Sequence, residues 1–291
     1  MRDAGRESWA TGVVCSAGSN RCINRTPMAL AGLTLYSFAL SQYGEKVRWV
    51  MHAANLPFRE ALLPPVWHIL PALRLGRLGL TELPILREVT AQGQRHHVQD
   101  SAAILQWLDQ RFGPLDTLPM VPSLRQECLA IEGRFDDIAR DVARFMCLSG
   151  FKHDAQVLDL WLHGTTPFQA RWIKRGYPLI KWFFLKRHRI NPQAGLHSEQ
   201  RILQAMAWLE GRLSDGRTYL VGHRLSVADI AAASMLAPLA CPAQHPVYGT
   251  ADYITCMRPT GAHWRSDRPA LAWVRRLYDL HRGEVTLLRA A

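Results

Sequence analysis

Hydrophobic positions in the first third of the chain change period several times. Residues 33–38 form a compact apolar run of strand type, followed by the polar turn Ser41-Gln42-Tyr43-Gly44. Beyond the turn, Val47, Val50, Met51 and Ala54 share one face of an amphipathic helix. Ala61-Leu62-Leu63 reads as a second strand. Segment 64–79 carries three prolines and two glycines, which predicts a loop with a short helix. Residues 83–86 make a short strand entered through Pro84, and proline is excluded from strand interiors, so Pro84 marks a special backbone point. Residues 94–98, after the turn Ala91-Gln92-Gly93, complete a hairpin. Asp100-Ser101 then opens a helix with Ile104, Leu105, Leu108 and Phe112 on one face, ended by Gly113-Pro114.

From residue 124 onward the strand signals vanish. Helical patterns cover 124–147, 169–186, 198–213, 227–239 and 270–281. The chain therefore divides through 115–121 into an α/β unit over 32–114, one mixed sheet with helices on its faces, and an all-α unit over 122–291. Residues 1–31 show neither period and read as a flexible tail, with Met28 as an alternative start of translation.

Composition narrows the class. With 291 residues the chain buries a core easily, and no apolar run approaches the roughly 18 to 20 residues that span a bilayer. The six cysteines show neither CxxC nor metal-ligand spacing, so they read as reduced thiols of a cytoplasmic protein with no metal site. His96-His97 are adjacent in a strand and face opposite sides, which argues against a metal pair.

The net charge of +11 is compatible with nucleic acid, anionic lipid or anionic small substrates. Much of it lies in 171–189, where seven Lys or Arg alternate with Trp172, Tyr177, Trp182, Phe183 and Phe184, and no Asp or Glu occurs between Asp159 and Glu199. The leading reading is an amphipathic helix with a solvated basic face and an aromatic core face. The functional readings are a wall for an anionic aromatic electrophile or a surface for anionic lipid. Nucleic acid is not an expected partner, because no recognition motif accompanies the charge, and membrane contact is not expected either. Asp136-Asp137, among Arg134, Arg140 and Arg144, reads as a helix surface ladder.

Candidate chemistry gathers at helix starts. Ser41 sits where unpaired N–H groups and the helix dipole favour an anion, and Ser101 occupies a similar place. Tyr36 and Tyr43 lie close enough in sequence to rival Ser41 as a hydroxyl donor. Ser226 with Asp229 reads as a capping box with a folding role.

Leu35-Tyr36-Ser37-Phe38 through Ser41 to Val47-Arg48, then Glu82-Leu83-Pro84-Ile85-Leu86, Gln99-Asp100-Ser101 and Ser226-Val227-Ala228-Asp229 occur in the order found in glutathione transferases. From about residue 32 the chain resembles that superfamily. The resemblance implies a thioredoxin-like domain followed by an all-helical one, a homodimer, and glutathione as co-substrate attacking a small electrophile. It implies that Ser41 donates to the thiolate, with Tyr36 and Tyr43 as rivals. It further implies a cis peptide at Leu83-Pro84 that presents the Leu83 main chain to the cysteinyl part. Asp100 and Ser101 would hold the γ-glutamyl end. No cysteine stands near position 41, which argues against thiol-exchange chemistry. The basic residue that often precedes the Pro84 step is replaced by Thr81-Glu82, so the glycyl carboxylate falls to His68, Arg74 or Arg77. That departure keeps a second reading open, a non-catalytic binding or scaffold protein on the same fold.

Overall fold

The computed structural model describes residues 32–64, 66–75, 82–162 and 165–283; the expected tail over 1–31, Arg77 and Thr81 lie outside them. The first domain runs β1 (Gly32–Ser37), α1 (Gln42–Ala53), β2 (Phe58–Leu62), α2 (Ile69–Leu75), β3 (Ile85–Val89), β4 (Arg95–Gln99) and α3 (Ser101–Phe112). Its sheet has the order β2-β1-β3-β4, with β1 parallel to β2 and antiparallel to β3, and β3 antiparallel to β4. This is the thioredoxin-like arrangement.

The second domain is helical: α4 (Pro122–Gly150), α5 (Asp154–Trp161), α6 (Pro167–Arg187), α7 (Pro192–Arg212), α8 (Val227–Ala240), α9 (Ala251–Met257), α10 (Ala262–Arg265) and α11 (Pro269–His281). Every residue of α8 is buried, and α1, α4 and α11 pack around it. A helix apolar all round needs such a jacket. Its start is fixed by Asp229, whose carboxylate accepts from the Ser226 N–H at 2.8 Å, the Ser226 hydroxyl at 2.6 Å and the Leu220 N–H at 2.7 Å. Among the described residues, no helix is long and apolar enough to cross a membrane.

Several sequence expectations change, and α5, α9 and α10 are helices that the periodicity did not mark. β2 begins at Phe58, earlier than the apolar triplet at 61–63, because Glu60 sits on its buried face with an ion partner that hides the alternation. Helix α7 starts at Pro192, capped by Asn191, whose side chain accepts from Ala194 N–H at 2.9 Å. The aromatic core face expected over 171–189 forms only in part: Tyr177 is buried and Phe184 packs against Trp161, but Trp172, Trp182 and Phe183 are exposed.

The two domains are joined through α1, which is buried on all sides from Gly44 to Met51. Its polar residues are interface residues. Lys46 Nζ donates to Glu132 at 2.6 Å and to Asp136 at 2.6 Å on α4, so the half-buried Asp136 pairs inward with Lys46 and is not part of a surface ladder. Gln42 Nε2 donates to the Met235 carbonyl at 2.6 Å. Glu45 accepts from Arg48 and, at 2.7 Å, from Arg282 Nε. Arg48 Nε donates to both Glu60 oxygens at 3.1 and 3.0 Å, and Ser37 Oγ donates to Glu60 at 2.7 Å. A chain of buried charge, Arg282–Glu45–Arg48–Glu60, thus links the end of α11 to β2, and Ser37 extends it to β1. Burial alone would raise the Glu45 carboxyl, but Arg282 and Arg48 hold it well below the usual carboxylate range.

Candidate functional site

Strand register brings the candidate residues together. Tyr36 pairs with Ile85, and Ile85 with Gln99, so the exit of β1, the entry of β3 and the exit of β4 are neighbours. Ser37 pairs with Leu62 in the parallel strand, which puts the exit of β2 at the same end. Helices α1 and α3 both begin there, with their N-termini towards one region. An anion there faces the positive ends of both helices and the first-turn N–H groups that their caps leave over.

Ser41 is the N-cap of α1, and its Oγ accepts the Gly44 N–H at 3.0 Å. Capping uses a lone pair of the hydroxyl and leaves its proton unspent; among the described residues that proton has no acceptor. Gly44 is required by close approach. A Cβ there would stand 2.9 Å from Ser37 Cβ and 3.1 Å from Ser41 Cβ. Gly44→Ala is therefore expected to destabilise by roughly 1–3 kcal/mol through overpacking and to displace Ser41. Chemical denaturation checks the first effect, and a crystal structure of the variant checks the second; an undisplaced Ser41 would refute the packing argument.

The two tyrosines are placed elsewhere. Tyr36 lies on the face of β1 opposite Leu35 and Ser37, with the Arg87 guanidinium 5.4 Å from its ring centroid. Tyr43 donates its hydroxyl proton to the Asp136 carbonyl at 2.9 Å. Burial and the Asp136 charge raise its phenol above the ordinary value, so that proton stays in place.

Leu83-Pro84 is a cis peptide, as the motif implied. Among the described residues the Leu83 main chain makes no hydrogen bond, while the Pro84 carbonyl accepts from Asp100 N–H at 3.3 Å. That bond couples the turn before β3 to the start of α3. Asp100, and not Ser101, is the N-cap: its Oδ1 accepts from Ala102 N–H at 2.9 Å and Ala103 N–H at 3.1 Å. It does so at φ 87°, a left-handed backbone that a non-glycine residue adopts only under constraint. Ser101, the first residue of α3, is buried, and its hydroxyl has no partner among the described residues.

Helix α4 forms the opposite wall. Arg140 approaches Glu82 at 3.7 Å, and Arg144 Nε donates to the His188 carbonyl at 3.3 Å. His68 packs edge-on against Phe38, with ring centroids 4.8 Å apart, and so reaches the same end of the sheet. Burial holds its imidazole below the ordinary value, which makes it a neutral donor at pH 7. Burial, then Arg187, Arg144 and Arg140, also hold His188 low. Arg74 lies exposed in the last turn of α2. The mouth between the domains thus carries both signs, with Arg140 beside Glu82 and Arg144 beside Asp141. A separate cavity of about 370 Å³ between 114–121 and 221–226 shares no residue with this end of the sheet.

Sequence reading missed the buried ion chain under Ser37 and the approach of Arg140 to Glu82. Glu45, Lys46 and Arg48 follow Ser41 at a spacing that suits a solvated helix face, so nothing local marked them as buried. No cluster of three or more metal-ligand side chains occurs among the described residues.

Comparisons with known proteins agree with this architecture. The family model described as glutathione S-transferase, N-terminal domain, matches residues 35–116, and that described as glutathione S-transferase, C-terminal domain, matches 170–276. No curated protein matches the chain. Among solved structures, it is similar to a glutathione S-transferase of Methylobacterium radiotolerans in complex with glutathione sulfonate, at 20% identity and TM-score 0.56, covering 89% of this chain and 98% of that one. It is also similar to a glutathione S-transferase of Methylobacillus flagellatus with glutathione bound, at 16% identity and TM-score 0.54, covering 87% and 100%. A third is the beta-etherase LigF of a Sphingobium species, at 20% identity and TM-score 0.53, covering 84% and 98%. At these identities the structures speak for the fold alone. The two domain models, matched in order on a thioredoxin-like domain and the helices after it, place the chain in the glutathione S-transferase superfamily.

Proposed function

We propose that the protein is a glutathione-dependent transferase in which Ser41 donates its hydroxyl proton in a hydrogen bond to the glutathione thiolate. The observation that carries this reading is the unspent proton of the capping hydroxyl, held at a helix N-terminus beside the cis Leu83-Pro84 turn. A hydrogen bond to the sulfur and the positive end of α1 both favour thiolate over thiol, and the thiolate is the nucleophile. Neither tyrosine competes well: the Tyr43 hydroxyl already donates to the Asp136 main-chain carbonyl, and Tyr36 lies on the other sheet face.

The remaining contacts follow from the chemistry of the tripeptide. The free Leu83 main chain pairs with the cysteinyl amide. Ser101 meets the γ-glutamyl carboxylate with its hydroxyl and N–H, and Asp100 pairs with the amine. His68 supplies an uncharged donor to the glycyl carboxylate, and Arg140 and Arg144 add positive potential from α4. The electrophile lies between Phe38 and that wall. Solved relatives that carry glutathione or its sulfonate support the ligand class.

Titration calorimetry tests the reading. We expect saturable glutathione binding at millimolar concentration or tighter and turnover of an electrophilic aromatic halide. Absence of binding would sink the enzyme and favour the scaffold reading.

A further inference from the structure

Helix α6 is held to the body by one side only. Tyr177 donates its hydroxyl to Asp154 at 2.7 Å, and Lys181 Nζ donates to Asp154 at 2.6 Å and to the Phe151 carbonyl at 3.0 Å. The rings of Trp161, Tyr177 and Phe184 pack together on that inner side, with centroids 5.5 and 5.6 Å apart. On the 100° wheel of an α-helix, Phe168, Trp172, Leu179, Trp182 and Phe183 fall on the opposite side. All five are exposed, from 53% for Trp182 to 70% for Leu179.

Cations share that outer face. Arg171, Arg175 and Lys186 lie among the apolar residues, and the Lys186 ammonium sits 4.4 Å from the centroid of the Trp182 ring. The patch continues onto the first domain, where Trp67 meets Phe168 edge-on with centroids 6.0 Å apart, and Val66, Ile69 and Leu70 are exposed. Five large apolar side chains on one helix face exceed the scattered exposure normal for a surface, and such a patch marks an interaction site.

The charge pattern chooses the partner. No acidic residue lies between Asp159 and Glu199, so the patch presents a single sign of charge. A second copy docking face to face would bring like charges together as it buried the rings, which opposes self-association. An anionic bilayer meets both halves of the pattern. Trp, Phe and Leu enter the boundary of headgroups and acyl chains, while Lys and Arg keep their heads at the phosphates on long apolar stems.

We propose that the outer face of α6, together with 66–70 beside it, docks on an anionic lipid surface without crossing it. This takes up the anionic-lipid reading of 171–189 against the sequence expectation of no membrane contact, since three of the five aromatic residues there lie outside the core.

The test is co-sedimentation of the full chain with phosphatidylcholine vesicles, with and without phosphatidylglycerol. Binding is expected only with phosphatidylglycerol, weakening as salt rises from about 0.1 M to higher ionic strength. The variant Trp172→Ser/Trp182→Ser/Phe183→Ser changes only exposed positions and is expected to keep the wild-type melting temperature while losing binding by more than tenfold. Arg171→Glu/Arg175→Glu/Lys186→Glu is expected to lose it similarly. Wild type that stays in the supernatant overturns the proposal. So does full binding by the aromatic variant, which reduces the effect to adsorption by net charge. Sedimentation velocity that finds a dimer abolished by the same aromatic substitutions assigns the face to a second copy and overturns it equally. None of these readouts depends on turnover.

Discussion

Ser41→Ala is expected to leave a folded protein whose kcat/KM for glutathione conjugation falls about 10²- to 10³-fold, the usual loss when a donor to developing or resting anionic charge is removed. The fall comes from the thiol. Without the hydroxyl, less of the bound glutathione ionises at neutral pH, so the rising limb of the rate against pH moves up towards the ordinary thiol range near about 8.5. The same substitution deletes the cap on the Gly44 N–H and costs about 1 kcal/mol of stability. Ser41→Gly separates the two effects, since glycine at an N-cap costs only a few tenths of a kcal/mol and carries no side-chain donor: most of the stability returns and the rate does not. Stopped-flow conjugation across pH, with thermal melts of each variant, makes the comparison. An Ala variant as fast as wild type would assign activation to another group, and Tyr36 would be the next residue to replace.

The largest effect on stability is expected at Glu45, far from any surface. Glu45→Gln keeps the volume but leaves Arg282 and Arg48 buried with half their counter-charge gone. Breaking one side of such a buried pair costs about 3–5 kcal/mol. Urea denaturation reads it as a lower midpoint with an unchanged slope. Asp215→Ala, which removes an exposed pair with Arg217, should leave the midpoint where it was. Replacing Arg282 by Met in the Glu45→Gln background should recover part of the loss, because the uncompensated charge leaves as well. A drop below about 1 kcal/mol for Glu45→Gln would mean that water or another anion reaches Arg282.

Much of the architecture was legible because local signals and tertiary packing agree. Leucine and isoleucine on β1 and β3 are bounded by turns, Pro84 opens a strand, and Gly113-Pro114 closes a helix; each has a physical meaning that survives in three dimensions. The sequence failed where one helix meets two partners. Glu45, Lys46 and Arg48 look like a wet face, yet each finds its opposite charge on a distant element: Arg282, Glu132 with Asp136, and Glu60. Pairings separated by that much chain leave no trace in periodicity. The converse error occurred in α6, where five aromatic residues suggested a core and the fold buried or packed only Tyr177 and Phe184, leaving Trp172, Trp182 and Phe183 exposed.

For the candidate site, the residue types were readable and their division of labour was not. Asp100 and Ser101 are adjacent, and either could cap α3; the positive φ of Asp100 hands it that task and leaves the Ser101 hydroxyl free. Tyr36, Ser41 and Tyr43 are all close in sequence, but strand alternation turns Tyr36 away and α4 claims Tyr43. Those outcomes depend on register and on a helix about 90 residues further along, which a linear pattern does not encode.

The pairing of Glu45 with Arg282 also sets a clock. The two partners are 237 positions apart, and a ribosome adds roughly 5–20 residues each second, so Glu45 is made on the order of 12–47 s before its partner. Throughout that interval the nascent sheet and α1 hold a carboxylate whose second cation does not yet exist. Vectorial synthesis therefore makes this contact between the first domain and the residue after the last helix one of the latest to form.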